Sequence, residues 1–125
     1  MFTAVLVGVF GVAGALLRFV VDSWFAQRTA HRTGLRRHWP WATLTVNVAG
    51  SFLIGVSLGL TERLGLGPEW HTALTAGLAG GLTTFSSWTT ATVRLVSEAR
   101  YCAAALNIAV NLLAGLAAAA LGLAL

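Results

Sequence analysis

HTALTAGLAGGLTTFSSWTTATV, residues 71–93, carries no Asp, Glu, Lys or Arg and is close to the roughly 20 residues that cross a bilayer as a helix. Its second half is nevertheless rich in hydroxyls: Thr83, Thr84, Ser86, Ser87, Thr89, Thr90 and Thr92, with Phe85 and Trp88 interleaved. Just before that run stands Gly80-Gly81, which weakens a helix because glycine loses the most backbone entropy and shields no carbonyl. The spacing therefore predicts a spanning helix broken near its middle. At membrane depth such a break persists only where its freed backbone groups face protein or bind something. Freed carbonyls suit a hard monovalent cation and repel an anion. Ser and Thr that merely bond back to their own helix carbonyls are the plain alternative.

On either side lie three more stretches without Asp, Glu, Lys or Arg: residues 1–17, 41–61 and 101–125. The 125-residue chain is 57% hydrophobic and 10% charged, against about 25% charged in an average soluble domain. These observations predict an all-α membrane protein, one domain over residues 1–125, with four transmembrane helices over about 2–21, 41–61, 71–93 and 101–124. A cleaved signal peptide would need a basic n-region, which residues 1–17 lack. The single Cys102 excludes an internal disulfide, and no Cys or His spacing resembles a zinc site. No nucleophile, acid-base pair or nucleotide-binding loop appears, so enzymatic activity is not expected.

All eight basic residues are Arg. Arg28, Arg32, Arg36 and Arg37 in the first loop and Arg94 and Arg100 in the third share one face, while Arg63 stands alone on the other. The positive-inside rule then places loops one and three in the cytoplasm and both termini outside. Arg beside apolar spans meets anionic lipid, so the net charge of +4 argues for a membrane surface and not for nucleic acid. His31 and His38 complete a first loop best explained as solvated and orientation-setting.

Polar residues within the spans narrow the function. Asn47 lies inside the second span, where an unpaired amide is expensive, so it faces protein or water. It serves either as glue between helices or as part of a polar path. Asn107 and Asn111, four apart, share one face of the fourth span. Arg18, four before Asp22, has three uses: snorkelling to the interface, pairing with Asp22, or lending positive potential to an anion vestibule. With no carboxylate inside any span, proton-coupled export is disfavoured and passive conduction fits better. Small residues at packing intervals, Gly8, Gly11 and Gly14 among them, suit helices that approach closely in lipid. Four helices cannot easily both enclose a polar path and cover it from lipid, so an oligomer is expected.

At this point the residues resemble the Fluc (CrcB) fluoride channel family. Gly11-x-x-Gly14-Ala15-x-x-Arg18 resembles its first-helix motif. Pro40, Thr43, Asn47, Gly50, Ser51, Phe52 and Gly55 resemble its second-helix signature, and residues 80–88, GGLTTFSSW, resemble its third-helix break. The resemblance implies a passive fluoride-selective channel that exports cytoplasmic fluoride across the inner (plasma) membrane and confers fluoride resistance. It implies an antiparallel, dual-topology dimer with two pores and a structural Na+ at its centre, held by the backbone carbonyls of Gly80 and Thr83. Asn47 matches the pore asparagine and Phe85 the first of two aromatics that contact fluoride. Trp88 stands where the family carries the second Phe, Ser87 where it usually has Thr. Thr84, Ser86, Asn107 and Asn111 complete the expected pore set, with Arg18 as a vestibule or structural residue. The Arg imbalance argues for one fixed orientation, so a heterodimer with an oppositely oriented homologue stands beside a homodimer. The rivals are a small four-helix multidrug exporter, which would want a carboxylate in the first span, and a non-transporting membrane scaffold.

Overall fold

The computed structural model describes residues 1–30 and 39–125; Arg32, Arg36, Arg37, His31 and His38 of the first loop lie outside the described residues. Helix α1 covers Phe2–Ala30 and α2 covers Trp41–Leu64. A third pass follows in pieces: α3 Pro68–Thr72, a π-helical segment Ala73–Ala79, α4 Gly80–Leu82 and α5 Phe85–Ser97. Helix α6 covers Tyr101–Ala124. Among the described residues, three helices are long and apolar enough to cross a membrane, over Phe2–Thr29, Trp41–Leu64 and Tyr101–Ala124. At about 1.5 Å per residue, α5 alone is too short for a core of about 30 Å, whereas the rod from 68 to 82 and α5 together exceed it.

Helix α1 outruns the expected 2–21. No glycine or proline interrupts residues 15–30, so Asp22 and Arg28 ride on the helix instead of ending it. Arg28 thus belongs to the last turn of α1, where its charge complements the helix dipole, and its guanidinium lies 4.0 Å above the Trp24 ring. At the far end of α2, Gly65 adopts φ +60 and stops the helix, and Pro68 opens α3 at its first position.

Two tight seams position everything else. Helix α2 packs most extensively on α6, and α1 packs on the π segment and α4. A methyl on Gly55 would strike the Ala119 carbonyl and one on Gly122 the Phe52 carbonyl; a methyl on Gly81 would strike the Gly11 carbonyl, and one on Gly14 would stand 2.8 Å from the Leu82 nitrogen. These contacts are backbone against backbone, the kind that replaces hydrophobic driving force in lipid. The break itself sits two to three residues beyond Gly80-Gly81. Gly80 to Leu82 are helical, and Thr83 (ψ 159) and Thr84 (φ −147, ψ 114) are extended. The glycines serve close approach to α1, and the departure from helix occurs where Asn47 captures the chain.

The buried apolar core is small: Val46, Ala73, Ala79, Leu82, Leu95 and Ala104. Val5, Val9, Val12 and Leu16 of α1 and Leu112, Leu113 and Leu116 of α6 are exposed on the protomer, leaving broad apolar faces for lipid or another chain.

Candidate functional site

Asn47 holds the break by imitating a strand. Its Oδ1 accepts from the Thr84 N–H at 2.8 Å, and its Nδ2 donates to the Thr84 carbonyl at 3.3 Å. The Thr84 N–H is the donor that would close the next helical turn on the Gly80 carbonyl, so capturing it releases that carbonyl. Gly50, one turn along α2, leaves room for the Thr83 side-chain methyl, which a Cβ there would overlap. Beyond the break, Thr84 caps α5: its Oγ1 accepts from the Ser87 N–H at 3.1 Å and contacts the Ser86 and Ser87 hydroxyls at 3.3 and 3.0 Å.

From Asn47 a line of side-chain amides runs into the protein. Its Nδ2 donates to Asn111 Oδ1 (3.2 Å), and Asn111 Nδ2 donates to Asn107 Oδ1 (3.1 Å) and to the Asn107 carbonyl (2.9 Å). Asn107 Nδ2 donates to Thr92 Oγ1 (3.0 Å), and Thr92 Oγ1 donates to the Trp88 carbonyl (2.9 Å). Asn107 is fully buried and Asn111 nearly so. The four-residue spacing brought these two together as expected. Their amide hydrogens point at protein partners, so the fourth helix joins α5 to α2 at this level. Trp88 does likewise: its indole N–H donates to the Asn107 carbonyl at 3.3 Å.

The other expected residues occupy an open face. Phe85, Ser86 and Ser87 are exposed at the N-terminus of α5, Phe85 to 73%. Its ring meets Trp88 edge to face, with centroids 5.7 Å apart. The positive end of the α5 dipole, two hydroxyls and an aromatic edge thus look outward, a surface unsuited to hydrocarbon.

Arg18 reaches the break. Its Nη1 donates to the Thr83 carbonyl at 3.1 Å. Ion pairs among the described residues are Arg94–Glu98 and Arg100–Glu98; the i,i+4 pair of Arg18 with Asp22 is not among them. The Thr83 carbonyl therefore already faces a cationic group, and the Gly80 carbonyl has lost its helical donor. Both suit a cation. No cluster of three His, Cys, Asp or Glu that could hold a metal occurs among the described residues.

A family model described as CrcB-like protein, Camphor Resistance (CrcB), matches residues 5–123. The chain belongs to the CrcB-like family. Similar relatives extend over nearly the whole of this CrcB-like chain. The fluoride-specific ion channel FluC of Renibacterium salmoninarum is 51% identical over 121 residues, 97% of this chain and 96% of the relative. The fluoride-specific ion channel FluC 1 of Symbiobacterium thermophilum is 42% identical over 122 residues, 97% and 94% of the two chains. That of Geobacter metallireducens is 38% identical over 124 residues, 98% and 95%.

Sequence reasoning missed two members of the CrcB-like site. Gly50 was read only as part of the second-helix signature, with no role at the break, and Thr92 as one of many hydroxyls. Thr92 had a legible signal, since it lies one helical turn after Trp88 and so shares its face.

Proposed function

We propose that this protein is a passive fluoride-selective channel that lets cytoplasmic fluoride leave down its gradient and thereby confers fluoride resistance. Membership of the CrcB-like family and the names of its relatives support the reading. The observation that carries it is the outward-facing end of α5, where Phe85, Ser86 and the helix dipole offer positive potential and donors beside Asn47.

Fluoride is small and tightly hydrated, so a path across lipid must return strong donors for the water it removes. The Ser86 hydroxyl, the Asn47 amide and the positive edges of Phe85 and Trp88 are such groups. Asn47 is anchored by its shortest bond, Thr84 N–H to Oδ1, while its own N–H groups make longer bonds of 3.2 and 3.3 Å. A passing fluoride competes with those two acceptors, and the amide stays in place while it does. Thr84 holds the α5 cap, and Asn107 and Asn111 set the direction of the Asn47 amide.

An open polar face at membrane depth needs covering, which supports pairing with a second, antiparallel copy or an oppositely oriented homologue in the inner membrane. The six-to-one distribution of Arg favours one fixed orientation and hence the heterologous pair. The carbonyls of Gly80 and Thr83 are the groups that would hold a structural sodium at the centre of that dimer; its charge would offset the negative ends of the broken helix.

Purified protein in liposomes loaded with fluoride tests the reading. A fluoride gradient should collapse without any proton gradient, chloride should not replace fluoride, and Asn47→Leu should abolish the flux. Liposomes that retain their fluoride both with this chain alone and with it co-purified with an oppositely oriented homologue would remove the proposal. Reporter fusions to the carboxyl terminus address orientation: one membrane face is expected, and equal populations on both would favour self-pairing.

A further inference from the structure

Apart from the bond Asn47 Nδ2 returns to the Thr84 carbonyl, the amide line donates in one sense. Thr84 N–H gives to Asn47, Asn47 to Asn111, Asn111 to Asn107, Asn107 to Thr92, and Thr92 to the Trp88 carbonyl. A side-chain amide can reverse by turning over, exchanging its carbonyl for its NH2. None here can turn alone, because reversal sets donor against donor on one side and acceptor against acceptor on the other. At the break the sense is fixed by a backbone N–H, which cannot become an acceptor. At the other end it depends on the Thr92 hydroxyl, whose proton goes to the Trp88 carbonyl and whose lone pair is thereby left for Asn107.

We propose that Thr92 is a positioning residue for Asn47, acting through Asn107 and Asn111. The inference rests on Asn47 serving the fluoride path. Remove the Thr92 oxygen and the Asn107 NH2, in a residue 0% exposed, is left with an unpaired hydrogen that carries its full desolvation penalty. The Asn107 side chain, no longer tied to α5, shifts toward another acceptor, which weakens the bond its Oδ1 accepts from Asn111 and loosens the Asn111 amide. Asn47 then loses the fixed acceptor that Asn111 Oδ1 supplies, and its N–H groups no longer point as the path requires. Thr92 is not at the break, and besides this line its hydroxyl bonds the Trp88 carbonyl, so the Asn47 resonances, and not flux alone, separate a route through the amides from one through Trp88.

Thr92→Ser keeps the oxygen, Thr92→Cys replaces it with a weak acceptor of similar size, and Thr92→Val removes it at nearly constant volume. Each variant is compared with wild type for dimer retention by size exclusion, fluoride efflux from liposomes, and the side-chain amide resonances of Asn47 in nitrogen-labelled asparagine samples. Serine is expected to conduct within about twofold of wild type, and valine to lose about tenfold, the factor given by about 1.4 kcal/mol. Cysteine should fall between them, and the Asn47 resonances should move in the same order. Should valine prevent assembly, the serine-to-cysteine step carries the decision. Wild-type flux with valine or cysteine unchanged and Asn47 resonances unmoved would overturn this role of Thr92 alone, whereas a wild type without flux would overturn the channel reading itself.

Discussion

The two halves of the third pass are held by opposite means. From Pro68 to Leu82 the chain lies against α1 largely through small residues and one Phe10–Trp70 ring contact, so Gly81 meets the Gly11 carbonyl and Gly77 approaches Phe10 and Val7. From Phe85 to Ser97 few backbone contacts hold the helix. Besides the fully buried Leu95, its position depends on directed bonds: the Thr84 cap, the Trp88 indole on the Asn107 carbonyl and the Asn107 amide on Thr92. Shape fixes the first half and polarity the second. A shape contact tolerates no added atom, and a polar one tolerates added volume but no lost partner.

Gly81→Ala should have the largest effect on stability. The methyl collides with backbone, which cannot rotate aside, so α1 and α4 must separate at a loss of about 1–3 kcal/mol, and Gly81→Val should leave no folded protein. Thermal unfolding in detergent, with the assembly state followed by size exclusion, measures both; an alanine variant as stable as wild type would show that the seam is loose. Trp88→Phe tests the other half more gently. It keeps the ring and removes one hydrogen bond, while the Asn107 carbonyl still receives Asn111, so a loss of about 0.5–1.5 kcal/mol is expected with fluoride flux retained. Unchanged stability would mean that the indole bond does not hold α5. Smallest of all should be Gly8→Ala, on the same helix face family as Gly11 yet with nothing within 4 Å of an added Cβ. A change below about 1 kcal/mol, in the stabilising direction, is expected from helix propensity. A large loss would place a second chain over Gly8, as the proposed pairing allows.

Composition showed which groups could not be left in lipid, and it did not show where they would turn. The apolar stretches located α2 and α6 closely, because the Trp39-Pro40 junction, Gly65 and the turn at Ala99 interrupt them. Helix α1 was read short because a membrane-sized window ends where charge begins, although nothing in residues 18–30 stops a helix. The break was expected at the glycines and falls at Thr83 and Thr84. A glycine pair permits a departure from helix, but the departure happens where a partner pays for it, and that partner, Asn47, is 37 residues away in sequence. Asn107 and Asn111 were visible as a pair through their spacing, whereas the direction of their amides depends on Thr92 and Asn47 from two other helices. Arg18 illustrates the same limit: its local neighbour Asp22 suggested a pair, and its actual acceptor is the Thr83 carbonyl, 65 residues on.

The seam at Gly14 and Gly81 also bears on motion. Carriers alternate by letting one bundle rock or slide past another, which requires side chains that can ride over one another or lift apart. Bare peptide planes in direct touch interlock like gear teeth, and a one-turn ratchet would drive carbonyls through each other. Traffic beside such a wall proceeds by partner exchange along stationary groups, with no stroke and no resetting step.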